Sequence, residues 1–137
     1  MKYLFLDTET GGIGLDKSLL TIGLVFTDEE FNVVYDYHAR VKPDDGIYNV
    51  SATALEINKI NLVEHDKLAL TCKETGGILY NILKEYSKDG KIIVFGKNVY
   101  FDLTHIWDKI IKRSTWEQFC SYQIVDLTSI WKFLELT

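Results

Sequence analysis

Two acidic residues, Asp7 and Glu9, follow the first apolar run of the chain and stand one residue apart. In an extended strand, residues i and i+2 point to the same side, so both carboxylates face one spot. Two negative charges this close repel each other, and either protonation or a bound cation relieves the repulsion. Carboxylate oxygens are hard ligands that favour Mg²⁺ or Mn²⁺. The pair therefore indicates a divalent-metal site, and the alternative is a solvated acidic pair at a strand end.

A third acid, Asp102, follows a second apolar run at 92–95 and a short polar loop. This run is rich in β-branched residues, which is typical of a strand buried on both faces, and segment 99–111 after it has helical spacing. In α/β sheets the functional site lies beyond the carboxyl ends of parallel strands. If the strand at 92–95 runs parallel to the first strand, Asp102 lies on a helix that begins close to Asp7 and Glu9.

The elements that must position these acids are predicted from hydrophobic periodicity and turn residues. Short turns between the first three strand-like runs favour an antiparallel meander. The helical connections that follow favour strands parallel to the first one, because such crossovers are right-handed. A capping box at Thr53 and Glu56 indicates the start of a short helix. The fold class is therefore α/β, with a mixed sheet of three antiparallel strands followed by β-α-β-α. The predicted strands are 2–7, 19–26, 33–41, 92–95 and 122–125, and the predicted helices begin near 53 and cover 64–87, 99–111 and 127–134.

The whole chain has 137 residues, of which 47% are hydrophobic and 26% charged, with one Pro and a net charge of −5. This composition is that of a globular protein, so we expect one domain over residues 1–137. No apolar run approaches the roughly 20 residues needed to span a bilayer, so no membrane association is expected. Cys72 and Cys120 lack the spacing of a metal-binding pair, and we expect free or buried thiols in a reducing compartment, the cytoplasm.

Basic residues are concentrated in one part of this acidic chain. Segment 84–113 contains seven Lys or Arg residues and four Asp or Glu residues. Such a stretch is typical of a surface that an anionic ligand approaches. The alternative is an ordinary solvated helix face.

Four segments resemble, in order, parts of the DEDD (DnaQ-like) 3′-5′ exonucleases, which have a ribonuclease H-like fold. Segment 5–12 (FLDTETGG) is similar to the family's first motif, and segment 98–102 (NVYFD) is similar to its second. Segment 54–60 (ALEINKI) corresponds to a helix and loop against the terminal nucleotide, with Asn58 where relatives often have His. Segment 124–127 (IVDL) resembles the end of the family's fifth strand. The matches cover nearly the whole chain.

The resemblance implies phosphodiester hydrolysis by a two-metal-ion mechanism, with Mg²⁺ or Mn²⁺ as the cofactor. Asp7 is then the bridging ligand, Glu9 completes the shell of the first ion and Asp102 holds the second, and these three are the predicted catalytic residues. The implied substrate is the 3′ end of single-stranded DNA or RNA. The residues expected to contact it are Thr8, Thr10, Leu55, Ile57, Asn58, Lys97, Asn98 and Phe101.

The family's fourth acid belongs to a third motif on a C-terminal helix, either His-x4-Asp or Tyr-x3-Asp. No histidine of this chain has an Asp five positions later, whereas Tyr122 and Asp126 match the second form. They lie in a β-branched run soon after Asp102, so we expect Asp126 to cap the next helix instead. We therefore expect a C-terminally truncated domain that lacks the usual C-terminal helix, or a site completed by a protein partner or second chain. Cleavage by residues 1–137 alone is expected to be slow or absent.

Two other functions remain open. One is a non-catalytic nucleic-acid-binding or partner-binding module on the same fold, which the missing fourth acid favours. The other is a phosphatase of the haloacid dehalogenase type, which also begins with an apolar strand followed by acidic residues. Glu9 in place of that family's second Asp counts against the phosphatase.

Overall fold

The computed structural model describes residues 1–137 and contains six strands and six helices. The strands are β1 (Tyr3–Thr10), β2 (Leu19–Thr27), β3 (Val33–Lys42), β4 (Leu70–Thr71), β5 (Ile92–Gly96) and β6 (Cys120–Asp126). The helices are α1 (Ala52–Asn58), α2 (Leu62–Leu68), α3 (Cys72–Tyr86), α4 (Val99–Lys109), α5 (Arg113–Phe119) and α6 (Leu127–Leu136). None of these helices has the length and apolar character that crossing a membrane requires.

All six strands belong to one mixed sheet with the order β4-β3-β2-β1-β5-β6. β1, β2 and β3 form an antiparallel meander, whereas β5 pairs in parallel with both β1 and β6. The predicted α/β class, with three antiparallel strands followed by β-α-β-α, is therefore confirmed. β4 is a two-residue strand at the edge beside β3 that was not predicted. Because β1, β5 and β6 are parallel, their carboxyl ends lie together at the same end of the strands.

The hydrophobic core lies against one face of the sheet. Leu4 and Leu6 of β1 are buried and belong to a single cluster of 20 buried residues. Leu83 of α3, Leu103 of α4 and Trp116 of α5 belong to the same cluster. Burial of these apolar side chains is the main force that holds the helices to the sheet. The packing keeps α4 against β1, the strand that ends in the two paired acids.

The opposite face of β1 carries aromatic residues. Tyr3 and Phe5 pack with Phe31 and Phe95, and the ring centroids lie between 4.8 and 6.4 Å apart. Phe31 belongs to the turn between β2 and β3, has a φ of 65° and is 59% exposed. A bulky residue rarely adopts this left-handed conformation. Asp7 and Glu9 follow Tyr3 and Phe5 at alternate positions of β1, so their side chains point to this aromatic face of the sheet.

The prediction of one helix over 64–87 is wrong, because two helices lie there with β4 between them. Ala69 ends α2 with an extended backbone, at φ −79° and ψ 145°. Thr71 then caps α3, and the Thr71 and Glu74 side chains form a reciprocal capping box. This Thr-x-x-Glu pattern is a helix-start signal that the periodicity argument overlooked.

The start of α1 also differs from the prediction. Ser51 is the N-cap instead of Thr53, and its side chain accepts a hydrogen bond from the Ala54 amide. Glu56 therefore lies inside the helix and closes no capping box. α5 was not predicted, whereas the remaining boundaries agree with the prediction to within a few residues.

Candidate active site

β1 ends with the two paired acids. Asp7 is exposed and Glu9 is half-buried, and their alternate positions place both side chains on the same face of the strand. Partial burial, followed by the negative charge of Asp7, raises the pKa of Glu9 above its ordinary value. The two carboxylates are therefore close enough for one to disfavour ionisation of the other.

Asp102 reaches the same strand from α4. It is 4% exposed and accepts a hydrogen bond from the Thr8 backbone amide at an N···O distance of 3.2 Å. The Thr8 hydroxyl donates a second hydrogen bond to the same carboxylate oxygen. The pairing between β1 and β5 ends at Phe5 and Phe95. The Thr8 amide therefore has no backbone carbonyl of β5 as its hydrogen-bond acceptor. Asp102 supplies the acceptor that a buried amide requires at this position.

The surroundings of Asp102 raise its pKa to about 6. Burial is the largest cause, and the charge of Asp7 adds to it, while the hydrogen bonds from Thr8 oppose the shift. Carboxylates with raised pKa values lack compensating positive charge, and a divalent cation bound beside them would lower those pKa values. Two of the three predicted ligands, Glu9 and Asp102, thus have the electrostatics expected of a cation site.

The donor set fits a hard divalent cation in its chemistry, because all three side chains present carboxylate oxygens. One oxygen of Asp102 is held by two hydrogen bonds from Thr8. The three carboxylates nevertheless do not form a closed ligand shell. No group of three or more His, Cys, Asp or Glu side chains stands in an arrangement that would hold a metal ion. The fold brings three acids of the right kind to one strand end without arranging them around a common point.

A cavity of about 230 Å³ opens beside Glu9. α1 and β1 form two of its walls, and the Asn58 side-chain amide links them by donating a hydrogen bond of 2.9 Å to the Thr10 carbonyl. Ile57, on the α1 side, is 73% exposed and offers an apolar surface. The lining residues are Thr8, Glu9, Thr10, Gly12, Ile13, Ala54, Ile57, Asn58 and Phe101. Five of the eight predicted substrate-binding residues therefore line one cavity.

The other three predicted substrate-binding residues lie outside this cavity. Leu55 is half-buried within α1. Lys97 follows β5 and lines a separate cavity of about 360 Å³ together with residues of α6. Asn98 is the N-cap of α4, but its side chain makes no capping hydrogen bond. The structure thus does not bring these three side chains together with the cavity beside Glu9.

Two residues of the turn after β1, Gly12 and Ile13, line the cavity and were not predicted. The Gly-rich composition of the turn is the signal that points to them, because glycine permits close approach of another backbone. Gly11 shows such an approach, since an added Cβ would lie 2.6 Å from the Asn49 carbonyl oxygen. The Gly11 carbonyl also accepts a hydrogen bond of 2.8 Å from the Ser51 amide. The turn therefore anchors α1 beside β1.

Tyr122 and Asp126 do not form a third motif with the acids of β1. Asp126 caps α6 as predicted, since its carboxylate accepts a hydrogen bond of 2.9 Å from the Thr128 amide. The same oxygen accepts a second hydrogen bond, of 3.2 Å, from the Asn98 amide. Tyr122 lies four positions earlier on β6, in a stretch where the pairing with β5 is irregular, and its side chain is 75% exposed.

His105 lies on α4, three residues after Asp102, and is fully buried. Burial, followed by the charge of Lys109, lowers the pKa of His105 to about 4. Its Nδ1 accepts a hydrogen bond of 3.2 Å from the Lys109 ammonium, and its ring packs edge-on against Phe101 at 5.0 Å. The ring is therefore neutral at neutral pH, and it supports α4 from the core.

A larger cavity, of about 430 Å³, lies elsewhere and contains none of the predicted site residues in its lining. Two of its carboxylates are already engaged, because Asp44 accepts from the Lys73 amide and Asp45 accepts from the Ile47 amide. Its size alone does not indicate a function.

The strand order, the parallel pairing of β1 with β5 and the position of α4 define a ribonuclease H-like fold, the fold of the DnaQ-like 3′-5′ exonucleases. The solved structures that this chain resembles include those of exonuclease I. E. coli exonuclease I in complex with a dT13 oligonucleotide superposes with a TM-score of 0.79 and 22% identity, over 98% of this chain and 29% of that chain. A product-bound exonuclease I gives a TM-score of 0.78 and 22% identity, over 98% of this chain and 31% of that chain. A complex of exonuclease I with SSB-Ct gives a TM-score of 0.78 and 22% identity, over 98% and 30% of the two chains.

The resemblance to the DnaQ-like exonucleases is thereby confirmed for the fold. The chain spans about 30% of the length of exonuclease I. No protein-family profile and no curated protein sequence matches this chain. The likeness therefore rests on the fold alone.

Proposed function

We propose that this chain is a DEDD-type 3′-5′ exonuclease domain, which hydrolyses phosphodiester bonds at the 3′ ends of single-stranded DNA or RNA. The observation that carries the proposal is the contact of Asp102 with Thr8, which brings the acid of α4 to the strand end that holds Asp7 and Glu9. The fold shared with exonuclease I supports it.

Asp7, Glu9 and Asp102 would hold the divalent cations, two ions of Mg²⁺ or Mn²⁺. When bound, such ions activate a water molecule and stabilise the leaving 3′ oxygen. The chain's own contribution is to present three carboxylates at one strand end. The pKa of Asp102 is about 6, so this group has lost its proton at pH 7.

The cavity beside Glu9 is the proposed place of the terminal nucleotide. The backbone from Thr8 to Thr10 would contact the 3′-hydroxyl, and the exposed Ile57 and the ring of Phe101 would pack against a base. Lys97, outside the cavity, would contact a phosphate group of the substrate. Leu55 and Asn98 would then support the helices that carry these contacts.

A specific observation also favours the non-catalytic alternative. The three acids do not form a closed ligand group, and the Tyr122 and Asp126 pair adds no fourth acid to them. We propose that residues 1–137 alone bind metal weakly and cleave slowly, and that a protein partner or second chain completes the site. The fold of exonuclease I leaves the phosphatase alternative without support.

The reducing interior of the cell suits this chain, since both of its cysteines are buried free thiols. We therefore propose a cytoplasmic protein in which residues 1–137 act as one exonuclease-like domain.

Calorimetric titration with Mn²⁺ tests the proposal directly. Asp7→Asn removes one charge from the cluster, and Asp36→Asn, at an exposed position of β3, is the matched control. We expect weak Mn²⁺ binding by the parent and the control, and at least a tenfold loss of affinity in Asp7→Asn. A 5′-fluorescein-labelled single-stranded oligonucleotide reports cleavage from its 3′ end on a denaturing gel. Equal Mn²⁺ binding by parent and Asp7→Asn contradicts the proposal, and oligonucleotide binding without Mn²⁺ binding supports the non-catalytic module.

A further inference from the structure

One carboxylate oxygen of Asp126 accepts hydrogen bonds from the starts of two helices, α4 and α6. Asp126 is the last residue of β6 and lies in register with Gly96, the last residue of β5. Its Oδ1 accepts a hydrogen bond of 2.9 Å from the Thr128 amide and one of 3.2 Å from the Asn98 amide. The first bond caps α6, whereas the second crosses to the loop that begins α4.

The N-cap of α4 has a left-handed backbone. Asn98 has φ 51° and ψ 44°, a conformation that asparagine adopts more readily than most other residues with a side chain. Its own side chain makes no capping hydrogen bond to α4. A hydrogen bond to the backbone amide of this residue therefore helps to fix which conformation the loop takes. The Asn98 amide donates this hydrogen bond to Asp126, and the bond joins the start of α4 to the end of β6.

The loop is also closely packed against β1. An added Cβ on Gly96 would lie 2.9 Å from the Leu6 carbonyl oxygen and 2.6 Å from Cγ2 of Val99. Leu6 immediately precedes Asp7, so the end of β5 lies close to the backbone of β1 one residue before the first acid. Asn98 stands four positions before Asp102, which is about one helical turn. A change in its backbone would therefore reorient the first turn of α4.

We propose that Asp126 is a positioning residue for the metal site, and this inference rests on the proposed function. Asp126 fixes the backbone of Asn98, which sets the direction of the first turn of α4. That direction places Asp102 against Thr8, next to Asp7. Residues that hydrogen-bond directly to a metal ligand change metal affinity by about 10–100-fold when they are removed, and Asp126, which acts through the backbone of Asn98, is expected at the lower end of that range.

The test compares Asp126→Ala with Asp126→Asn by Mn²⁺ calorimetry. The Asn variant keeps an oxygen acceptor for both amides, so we expect its affinity to stay within about threefold of the parent, whereas Asp126→Ala loses about tenfold. Asn61→Ala is the matched control, because the Asn61 side chain accepts two similar hydrogen bonds, both from amides of α2. We expect Asn61→Ala to lower the melting temperature without changing Mn²⁺ affinity.

A double variant separates positioning from simple loss of the α6 cap. Glycine adopts the left-handed conformation without strain, so Asn98→Gly should restore part of the Mn²⁺ affinity that Asp126→Ala loses. Loss of the α6 cap alone would not respond to Asn98→Gly. Faster hydrogen exchange of the Asn98 amide in Asp126→Ala, measured by NMR without metal, checks that the bond exists in solution.

The outcomes distinguish this inference from the function on which it rests. If Asp7→Asn weakens Mn²⁺ binding but Asp126→Ala binds as tightly as the parent, the positioning role is wrong and the proposed function stands. If Asn98→Gly fails to restore affinity, Asp126 acts only as a cap. If Asp7→Asn leaves Mn²⁺ binding unchanged, the proposed function itself fails.

Discussion

Thr8 binds Asp102 through both its backbone amide and its hydroxyl, so a single residue of β1 fixes the carboxylate that α4 contributes. Thr8 lies between Asp7 and Glu9 in the chain, but its side chain leaves the opposite face of the strand. The position of Asp102 relative to the other two acids therefore depends on a direct contact between strand and helix.

Thr8→Val tests this contact while preserving the β-branched shape and the backbone amide. The hydrogen bond from the Thr8 hydroxyl lowers the pKa of Asp102, so its removal should raise that pKa further above about 6. A ¹³C NMR titration of the Asp102 carboxyl group measures the change. Thr10→Val is the matched control, because its hydroxyl donates instead to the Gly12 carbonyl at 2.7 Å. A pKa of Asp102 that is the same in parent and Thr8→Val would show that the hydroxyl bond is absent in solution.

The raised pKa of Asp102 also makes the free energy of unfolding depend on pH. The folded protein binds a proton at this group more tightly than the unfolded chain, whose Asp has the ordinary pKa of 3.8. Its contribution to stability is therefore fully present below pH 3.8 and is lost as the pH rises to about 6. Asp102→Asn cannot ionise, yet it keeps an oxygen acceptor for Thr8.

We therefore expect Asp102→Asn to melt several degrees above the parent at pH 7, with a difference that shrinks as the pH falls towards 4. Thermal denaturation followed by circular dichroism between pH 4 and 8, with EDTA present, measures this. Asp36→Asn, at an exposed position of β3, is the control. A difference in melting temperature that does not vary with pH contradicts the prediction.

Much of this site follows from local geometry and was predictable. The shared face of Asp7 and Glu9 follows from the fixed period of two along a strand, and the sheet class follows from short turns and right-handed crossovers. The Thr8 contact with Asp102 was not predictable, because it depends on where the pairing of β1 with β5 ends. The bond from Asn58 to Thr10 depends likewise on how tertiary packing brings α1 to β1.

The error over 64–87 has a different origin. Apolar residues at helical spacing continue through both α2 and α3, so periodicity alone predicts one helix. The segment is divided because Ala69, with an extended backbone, ends α2, and the capping box of Thr71 with Glu74 begins α3. Both features depend on local hydrogen bonds and not on apolar spacing. Caps decide where a helix begins, whereas periodicity decides only which face is buried.

Gly76 and Gly77 are adjacent in α3, and we expect them to respond in opposite ways to Ala. A Cβ at Gly76 would lie 2.5 Å from the Ile110 carbonyl oxygen, whereas a Cβ at Gly77 would meet nothing within 4 Å. Gly77→Ala should stabilise the protein by about 1 kcal/mol through helix propensity. Gly76→Ala should destabilise it by roughly 1–3 kcal/mol, because backbone must move. Urea denaturation measures both, and equal signs would show that α3 and Ile110 are not in close contact.

Asn58 joins α1 to β1 at the cavity beside Glu9, and its removal tests whether nucleic acid uses that cavity. Asn58→Ala deletes the hydrogen bond to the Thr10 carbonyl, which frees the α1 wall that carries Ile57. Loss of one such bond is worth about 1 kcal/mol, so we expect about a fivefold weaker affinity for a single-stranded oligonucleotide. Fluorescence anisotropy with a labelled dT oligonucleotide in EDTA measures binding without cleavage. Asn32→Ala is the control, because its side chain bonds only to Asp28 in the turn between β2 and β3. An unchanged affinity in Asn58→Ala, or an equal loss in both variants, would place the nucleic acid outside this cavity.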